Sequence, residues 1–211
     1  MALLHRATLT PTKTDMLAAW LPHQEWYAGG GPLTVLGAYR FDDPDDQVGI
    51  ETFLVRAGSG PVLQVPLTYR GAPLEGAEHG LVTEMQHSVL GPRWVYCGCD
   101  DPAYAAALVS TVLTGGAQAA QEIEVDGVRK SRETTTFARG SGVPDAVVPT
   151  LGPLARREVD GCTVLKSDEA EVTVCRKVTS TPGFDTAGLQ TLHGRWPGHS
   201  EPTLLAAVGV R

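Results

Sequence analysis

Apolar residues recur along this chain at two periods, and each change of period marks an element. Over 12–21 (TKTDMLAAWL), Met16, Leu17, Trp20 and Leu21 fall on one side at helical spacing. Thr12 with Asp15 three residues on approximates a capping box, with Asp in place of the usual Glu or Gln. Pro22 ends the helix, and the irregular segment HQEWYAGGG follows. Runs rich in β-branched and aromatic residues then predict strands over 33–41, 48–57 and 62–70. The acidic run from Asp42 to Asp46 separates the first two, and Gly58-Ser59-Gly60-Pro61 turns the second into the third. Such a meander makes an antiparallel sheet. A further strand pair is predicted over 81–89 and 92–97, around Leu90-Gly91-Pro92. The clearest helix spans 102–114: Asp101 caps it, Pro102 takes its first position and Gly115 suits its exit. Tyr104, Ala105, Leu108, Val109 and Val112 form one apolar arc, so this helix packs on a sheet face.

From residue 116 the texture changes to hairpins. Asp126-Gly127 is a two-residue turn that pairs Val125 with Val128 and Glu124 with Arg129. A second Asp-Gly at 160–161 precedes CTVLKSDEAEVTVC, two strands about Ser167-Asp168-Glu169-Ala170. If Asp168-Glu169 is the centre of that turn, Lys166 faces Glu171, Leu165 faces Val172 and Cys162 faces Cys175. GLQTLHGRWPG and TLLAAVGV supply two closing strands, and no repeat of fixed period is visible. The Pro- and Gly-rich stretch 139–153 reads as a linker or as a surface crossing. The pattern predicts an α+β fold: antiparallel, β-dominated sheets with a few flanking helices. Residues 1–115 form a first unit, and 116–211 a β-rich second half that is either a subdomain or an extension of the same domain.

Charge and composition narrow the functional classes. The 17 basic and 24 acidic residues leave a net charge of −7, with no basic stripe to displace counterions from nucleic acid. No apolar run approaches the ~20 residues of a membrane span. The start, MALLHRATLTPTK, lacks the apolar core of a signal peptide. A cytoplasmic location follows as the expectation, with neither nucleic acid nor membrane as partner. Cys97-Gly98-Cys99 has too short a spacing for an easy disulfide or for a zinc knuckle, and the four cysteines read as reduced thiols. The six histidines show no ligand spacing, so neither metal nor cofactor is expected.

Several motifs fail on inspection. Glu122-Ile123-Glu124 alternates carboxylates on one strand face, but Asp126 stands where a catalytic lysine would be needed. Gly29-Gly30-Gly31 runs into Pro32 with no Lys-Ser/Thr, so it is no phosphate loop. Asp42 to Asp46 lacks the ligand layout of a calcium loop. There is no Gly-x-Ser-x-Gly elbow, and the neighbours His87 and Ser88 point to opposite strand faces. The candidate binding surface is therefore Trp20, Gln24, Trp26 and Tyr27. Indole faces stack on sugar rings, and loop aromatics anchor interfaces. The competing role for Trp20 and one of the adjacent pair is packing between the first helix and the sheet. Trp94, Tyr96 and Trp196 are expected in the core; Arg93 and Arg195 stand beside Trp94 and Trp196, where a cation can stack on a ring.

The string AAWLPHQEWYAGG (18–30), followed by a meander ending VLQVPLTYRGAPL (62–74), resembles the N-terminal cap of actinobacterial maltokinases. The same cap occurs on related aminosugar kinases and on trehalose synthase–maltokinase fusions. Trp20, Leu21, Pro22, Gln24, Trp26, Tyr27 and Gly29 carry the resemblance, and 87–113 is similar to the strand and helix that close the cap. It covers about residues 8–115 and implies a curved antiparallel sheet with flanking helices, of the kind that precedes a two-lobed kinase. Phosphoryl transfer needs a lysine-bearing nucleotide lobe, a catalytic aspartate loop and a metal-binding aspartate. None has a counterpart here; Phe184-Asp185 and His193-Gly194-Arg195 have the wrong order and neighbours. The expectation is a stand-alone cap protein with no catalytic residues, not an enzyme but a binding or regulatory module. The resemblance links it to glycogen, trehalose or aminosugar metabolism. Its expected partners are a second copy, as a homodimer, and a sugar-processing kinase or glucan enzyme. The alternative is a small enzyme or small-molecule carrier with a pocket in the β-rich second half.

Overall fold

A computed structural model describes residues 2–4, 7–125, 128–178 and 183–211. Strands β1 (Ala2–Leu4) and β2 (Leu9–Thr10) precede helix α1 (Lys13–Trp20). Strands β3 (Leu33–Phe41), β4 (Gly49–Ala57), β5 (Val62–Arg70), β6 (Leu81–His87) and β7 (Gly91–Cys97) lead to helix α2 (Pro102–Leu113). Then come β8 (Gln121–Val125), β9 (Val128–Arg132), β10 (Phe137–Gly140), β11 (Ala155–Val159) and β12 (Cys162–Lys166). The last four are β13 (Ala170–Cys175), β14 (Lys177–Val178), β15 (Gln190–Trp196) and β16 (His199–Val210). The fold is α+β and dominated by antiparallel sheets, as the periodicity predicts.

The first sheet has the order β2-β6-β7-β5-β4-β3, with β14 added beside the start of β5. Alternation along β4 and β5 sends one set of side chains to each face. Phe53, Val55, Leu63, Val65 and Leu67 meet Met16, Leu17 and Leu21 of the α1 region. Ile50, Leu54 and Val62 meet Tyr104, Leu108, Val109 and Val112 of α2, together with Leu165, Val172, Val174 and Ala206 from the second sheet. That second sheet, β10-β15-β16-β13-β12-β11, is antiparallel throughout. The first sheet is thus covered by α1 on one face and by α2 with the second sheet on the other. A third, small sheet pairs β1 in parallel with β8, and β8 with β9.

Both helices begin where the sequence places them. Thr12 Oγ1 accepts a hydrogen bond from the Asp15 amide at 3.2 Å. Asp101 accepts from the Ala103 amide at 2.9 Å and also holds Arg70 and Thr68. Thr12→Ala is expected to lower stability by about 1 kcal/mol, read from the urea unfolding midpoint, because one α1 amide loses its acceptor. An unchanged midpoint would mean that packing alone sets the start of α1.

Hairpin register also follows the sequence. Lys166 faces Glu171, Leu165 faces Val172 and Cys162 faces Cys175. Asp160 and Gly161 both take positive φ, 48° and 77°, as a two-residue hairpin turn of this hand requires. Val125 pairs with Val128 and Glu124 with Arg129; the turn residues Asp126 and Gly127 lie outside the described residues. The stretch 139–153 is tied down at its start, because Gly142 and Val143 donate to the last carbonyls of α2, on Val112 and Leu113. Three strands in this half were not legible in the sequence, β10, β11 and β14. β11 carries Arg156 and Glu158, two charged residues turned toward the first sheet, and so breaks the usual alternation.

Candidate functional site

The segment after α1 continues through a single helical turn, 21–23, and then through a second turn in which the Tyr27 amide donates to the Gln24 carbonyl at 2.9 Å. Trp20 and Trp26 meet edge to face with ring centroids 6.0 Å apart. Trp26 is 3% exposed and sits in the cluster of Met16, Leu17, Leu21, Val65 and Met85. Trp20 and Tyr27 pack on the same cluster while remaining half-buried. Gln24 is half-buried; its amide side chain reaches back to the Trp20 carbonyl at 3.5 Å. The four sequence-selected residues are therefore brought together, with Trp26 inside and Trp20, Gln24 and Tyr27 on the rim.

The glycine run behind them has a packing role. Gly29 has φ 117°, and a Cβ there would lie 2.6 Å from the Ala57 carbonyl oxygen; one on Gly58 would lie 2.0 Å from that of Gly30. The run lets the aromatic segment lie against the β4–β5 turn, which a side chain would prevent.

Beneath Trp26 lies a residue that no sequence signal marked. Arg176, in the link from β13 to β14, is fully buried, and its guanidinium carbon stands 4.3 Å from the centroid of the Trp26 ring. Its position follows from strand pairing. Along β5, Val62 and Leu63 pair with β14, whereas Leu67 to Arg70 pair with β7. Arg176 occupies the interval between them. Its carbonyl accepts from the Gln64 amide at 2.9 Å, and its guanidinium donates to the Gln64 carbonyl at 3.4 Å and to Cys97 Sγ at 2.9 Å. A residue of the second half thereby plugs the first sheet and supports the aromatic segment.

No carboxylate forms an ion pair with Arg176 among the described residues; the negative partner within hydrogen-bond reach is Cys97, whose Sγ accepts from the guanidinium at 2.9 Å. A hydrogen bond from Cys99 lowers the Cys97 thiol to about 6, with burial opposing and Arg176 assisting. Burial in turn pushes Cys99 well above the ordinary thiol range. For Arg176 burial works against the charged form, yet Cys99 and Cys97 hold its pKa above the ordinary value. The carboxylates nearby are already engaged. Asp100 pairs with Arg156 and with His79, Glu158 pairs with Arg156 and accepts from Thr163, and Asp101 binds Arg70. This polar seam joins β5 and residues 98–101 to β11 and β12.

Elsewhere, Tyr96 and Trp196 are buried, as expected, and Trp94 is half-buried. Arg195 lies over Phe137 at 5.6 Å. A cavity of about 400 Å³ opens between the sheets, lined by Leu36, Arg56 and Val62 of the first sheet and by Trp196, His199 and Thr203 of the β15–β16 hairpin. His199 stacks on Trp196 at 4.4 Å and shares a 2.7 Å hydrogen bond with Thr203. Among the described residues, no group of three or more His, Cys, Asp or Glu side chains converges as a metal site. No helix in them is long and apolar enough to cross a membrane.

No curated protein matches the chain. Among solved structures, a glucosamine kinase in complex with glucosamine, ADP and inorganic phosphate aligns over 96% of this chain and 41% of its own, at 15% identity and a TM-score of 0.47. The chain thus spans about two fifths of that protein's length. The family comparison is narrower than the stretch over which the sequence resembles a cap, and it includes α1's last residue, the aromatic segment, strands β3 to β7 and Asp101. Residues 20–101 match the model of the maltokinase N-terminal cap domain, a stretch that contains the segment from Trp20 to Gly29.

Proposed function

We propose that this chain is a non-catalytic binding or regulatory module that acts beside a sugar-processing kinase or glucan enzyme in the cytoplasm. The match of residues 20–101 to a maltokinase N-terminal cap domain carries the reading. Residues 1–115 serve as the cap-like unit, and 116–211 as a β-rich layer built onto it. The contact surface is the rim of the aromatic segment, Trp20, Gln24 and Tyr27, with Trp26 as its buried anchor. Half-buried aromatics backed by a rigid core present contact area at small cost in side-chain entropy.

Two measurements test this reading. Incubated with ATP, a divalent metal and maltose, glucose or glucosamine, the purified chain is expected to transfer no phosphate. Turnover that survives repurification overturns the non-catalytic reading. Light scattering over a range of concentrations is expected to report a homodimer, weakened by Tyr27→Ala and Gln24→Ala with the thermal midpoint nearly unchanged. A strict monomer that also fails to bind a sugar kinase would remove the interaction reading.

The cavity beside Trp196 supports a second reading, a small-molecule carrier. Its lining is mixed, with an exposed cation in Arg56 and a hydroxyl–imidazole pair in Thr203 and His199, which suits a compact anionic ligand. It draws on both halves, whereas the sequence reading placed a pocket in the second half alone.

A further inference from the structure

Cys162 and Cys175 occupy directly facing positions on neighbouring antiparallel strands. Facing Cα atoms in such a ladder lie about 4.5 to 5.5 Å apart, inside the roughly 4.4–6.8 Å span that a disulfide bridges. Both thiols are free. They differ in access: Cys162 directly follows the Asp160-Gly161 turn and is half-buried, whereas Cys175 is buried. The other pair, Cys97 and Cys99, lies wholly inside and is occupied with Arg176.

We propose that Cys162 and Cys175 form a redox modification site, in which a hydroperoxide converts the facing thiols to a cross-strand disulfide. Cys162 is the attacking sulfur, since it alone of the two reaches solvent. Its thiolate attacks one peroxide oxygen, the O–O bond breaks, and the other oxygen leaves as hydroxide and is protonated to water (or to the corresponding alcohol). Cys162 is now a sulfenic acid. The Cys175 sulfur attacks it, the S–O bond breaks, and a second water leaves with the Cys175 proton. Two thiols have lost two electrons, and the hydroperoxide has gained them. The hydrogen bond between the two thiols favours this division of labour, because it lowers the Cys162 pKa and, with burial, raises that of Cys175.

The bridge closes the β12–β13 hairpin one residue before Arg176, so oxidation acts on the strand that delivers the buried arginine to Trp26. The folded chain is treated with hydrogen peroxide, blocked with iodoacetamide and digested with trypsin. The expected product joins the peptide 158–166 to the peptide 167–176, with the loss of two hydrogen atoms, while Cys97 and Cys99 stay reduced. Cys175→Ser is expected to stop at the Cys162 sulfenic acid, trapped by dimedone. Cys162→Ser is expected to leave Cys175 a thiol. Bridging to Cys97 or Cys99, an intermolecular Cys162 disulfide, or thiols that remain unoxidised while free cysteine added to the same solution is converted would each overturn the proposal. Circular dichroism of both variants, expected to match that of the parent, separates lost chemistry from lost fold.

Discussion

Arg176→Ala is expected to destabilise the protein by about 3–5 kcal/mol, since it empties a fully buried site and removes one partner of a buried charge pair. The guanidinium does three things at once: it stacks on Trp26, closes the gap between β14 and β7 along β5, and supplies the positive charge beside Cys97. Arg176→Met keeps most of the stem without the charge and is expected to lose markedly less, because a well-packed apolar side chain needs no counter-ion. Urea unfolding distinguishes the two. Equal losses would assign the whole effect to charge. The pH dependence supplies a second signature. Cys97 is lowered from 9.0 in the free thiol to about 6 in the fold. Its contribution to stability is complete above pH 9 and is lost as pH falls through 6. Cys99 is shifted the other way, so above pH 9 it subtracts stability. Asp100, Arg156 and Tyr104 also face this cluster, and their charges enter the same balance. Stability should therefore climb between pH 6 and pH 9, and in Arg176→Met the climb should shrink.

Trp26→Ala is expected to cost a further set of core contacts, about 3–5 kcal/mol, because the ring is buried among the side chains that bind α1 to the first sheet. It also takes away the face on which Arg176 stacks, so the two substitutions should not be additive; a double-mutant cycle with Arg176→Met is expected to show coupling of roughly 0.5–2 kcal/mol. Additive losses would mean that the 4.3 Å stacking contributes nothing beyond packing. The consequence for function is practical. Loss of binding in Trp26→Ala reports unfolding as readily as recognition, whereas Gln24 and Tyr27 on the rim can be changed with the core intact.

How the two halves depend on each other follows from the same residues. α2 follows the strands of the first sheet, yet its arc of Tyr104, Leu108, Val109 and Val112 shares one core with Leu165, Val172, Val174 and Ala206. The seam from Asp100 through Arg156 to Glu158 adds a polar tie beside that core. A second sheet held in this way covers, with α2, one face of the first sheet within the chain, while the aromatic segment lies on the α1 side.

By itself the sequence determined what depends on neighbours a few residues away. The caps at Thr12 and Asp101, the apolar arc of α2, the meander from β3 to β5 and the Asp160-Gly161 turn each rest on local backbone preference. The pairing of Cys162 with Cys175 needed only the position of one turn, since strand alternation then sets every partner. The four candidate residues, Trp20, Gln24, Trp26 and Tyr27, were legible as an unusual string on a loop, but which of them is buried was not. Only the tertiary structure decided that. Arg176 follows a cysteine in a short polar link and reads locally as a solvated charge. It is buried because β14 and β7, distant in sequence, stop short of each other along β5 and leave an interval that a long, flat cation fills. β11 escaped for a related reason: Arg156 and Glu158 point inward, which no alternation rule anticipates, and are stable there because Asp100 and Thr163 arrive from other strands to satisfy them.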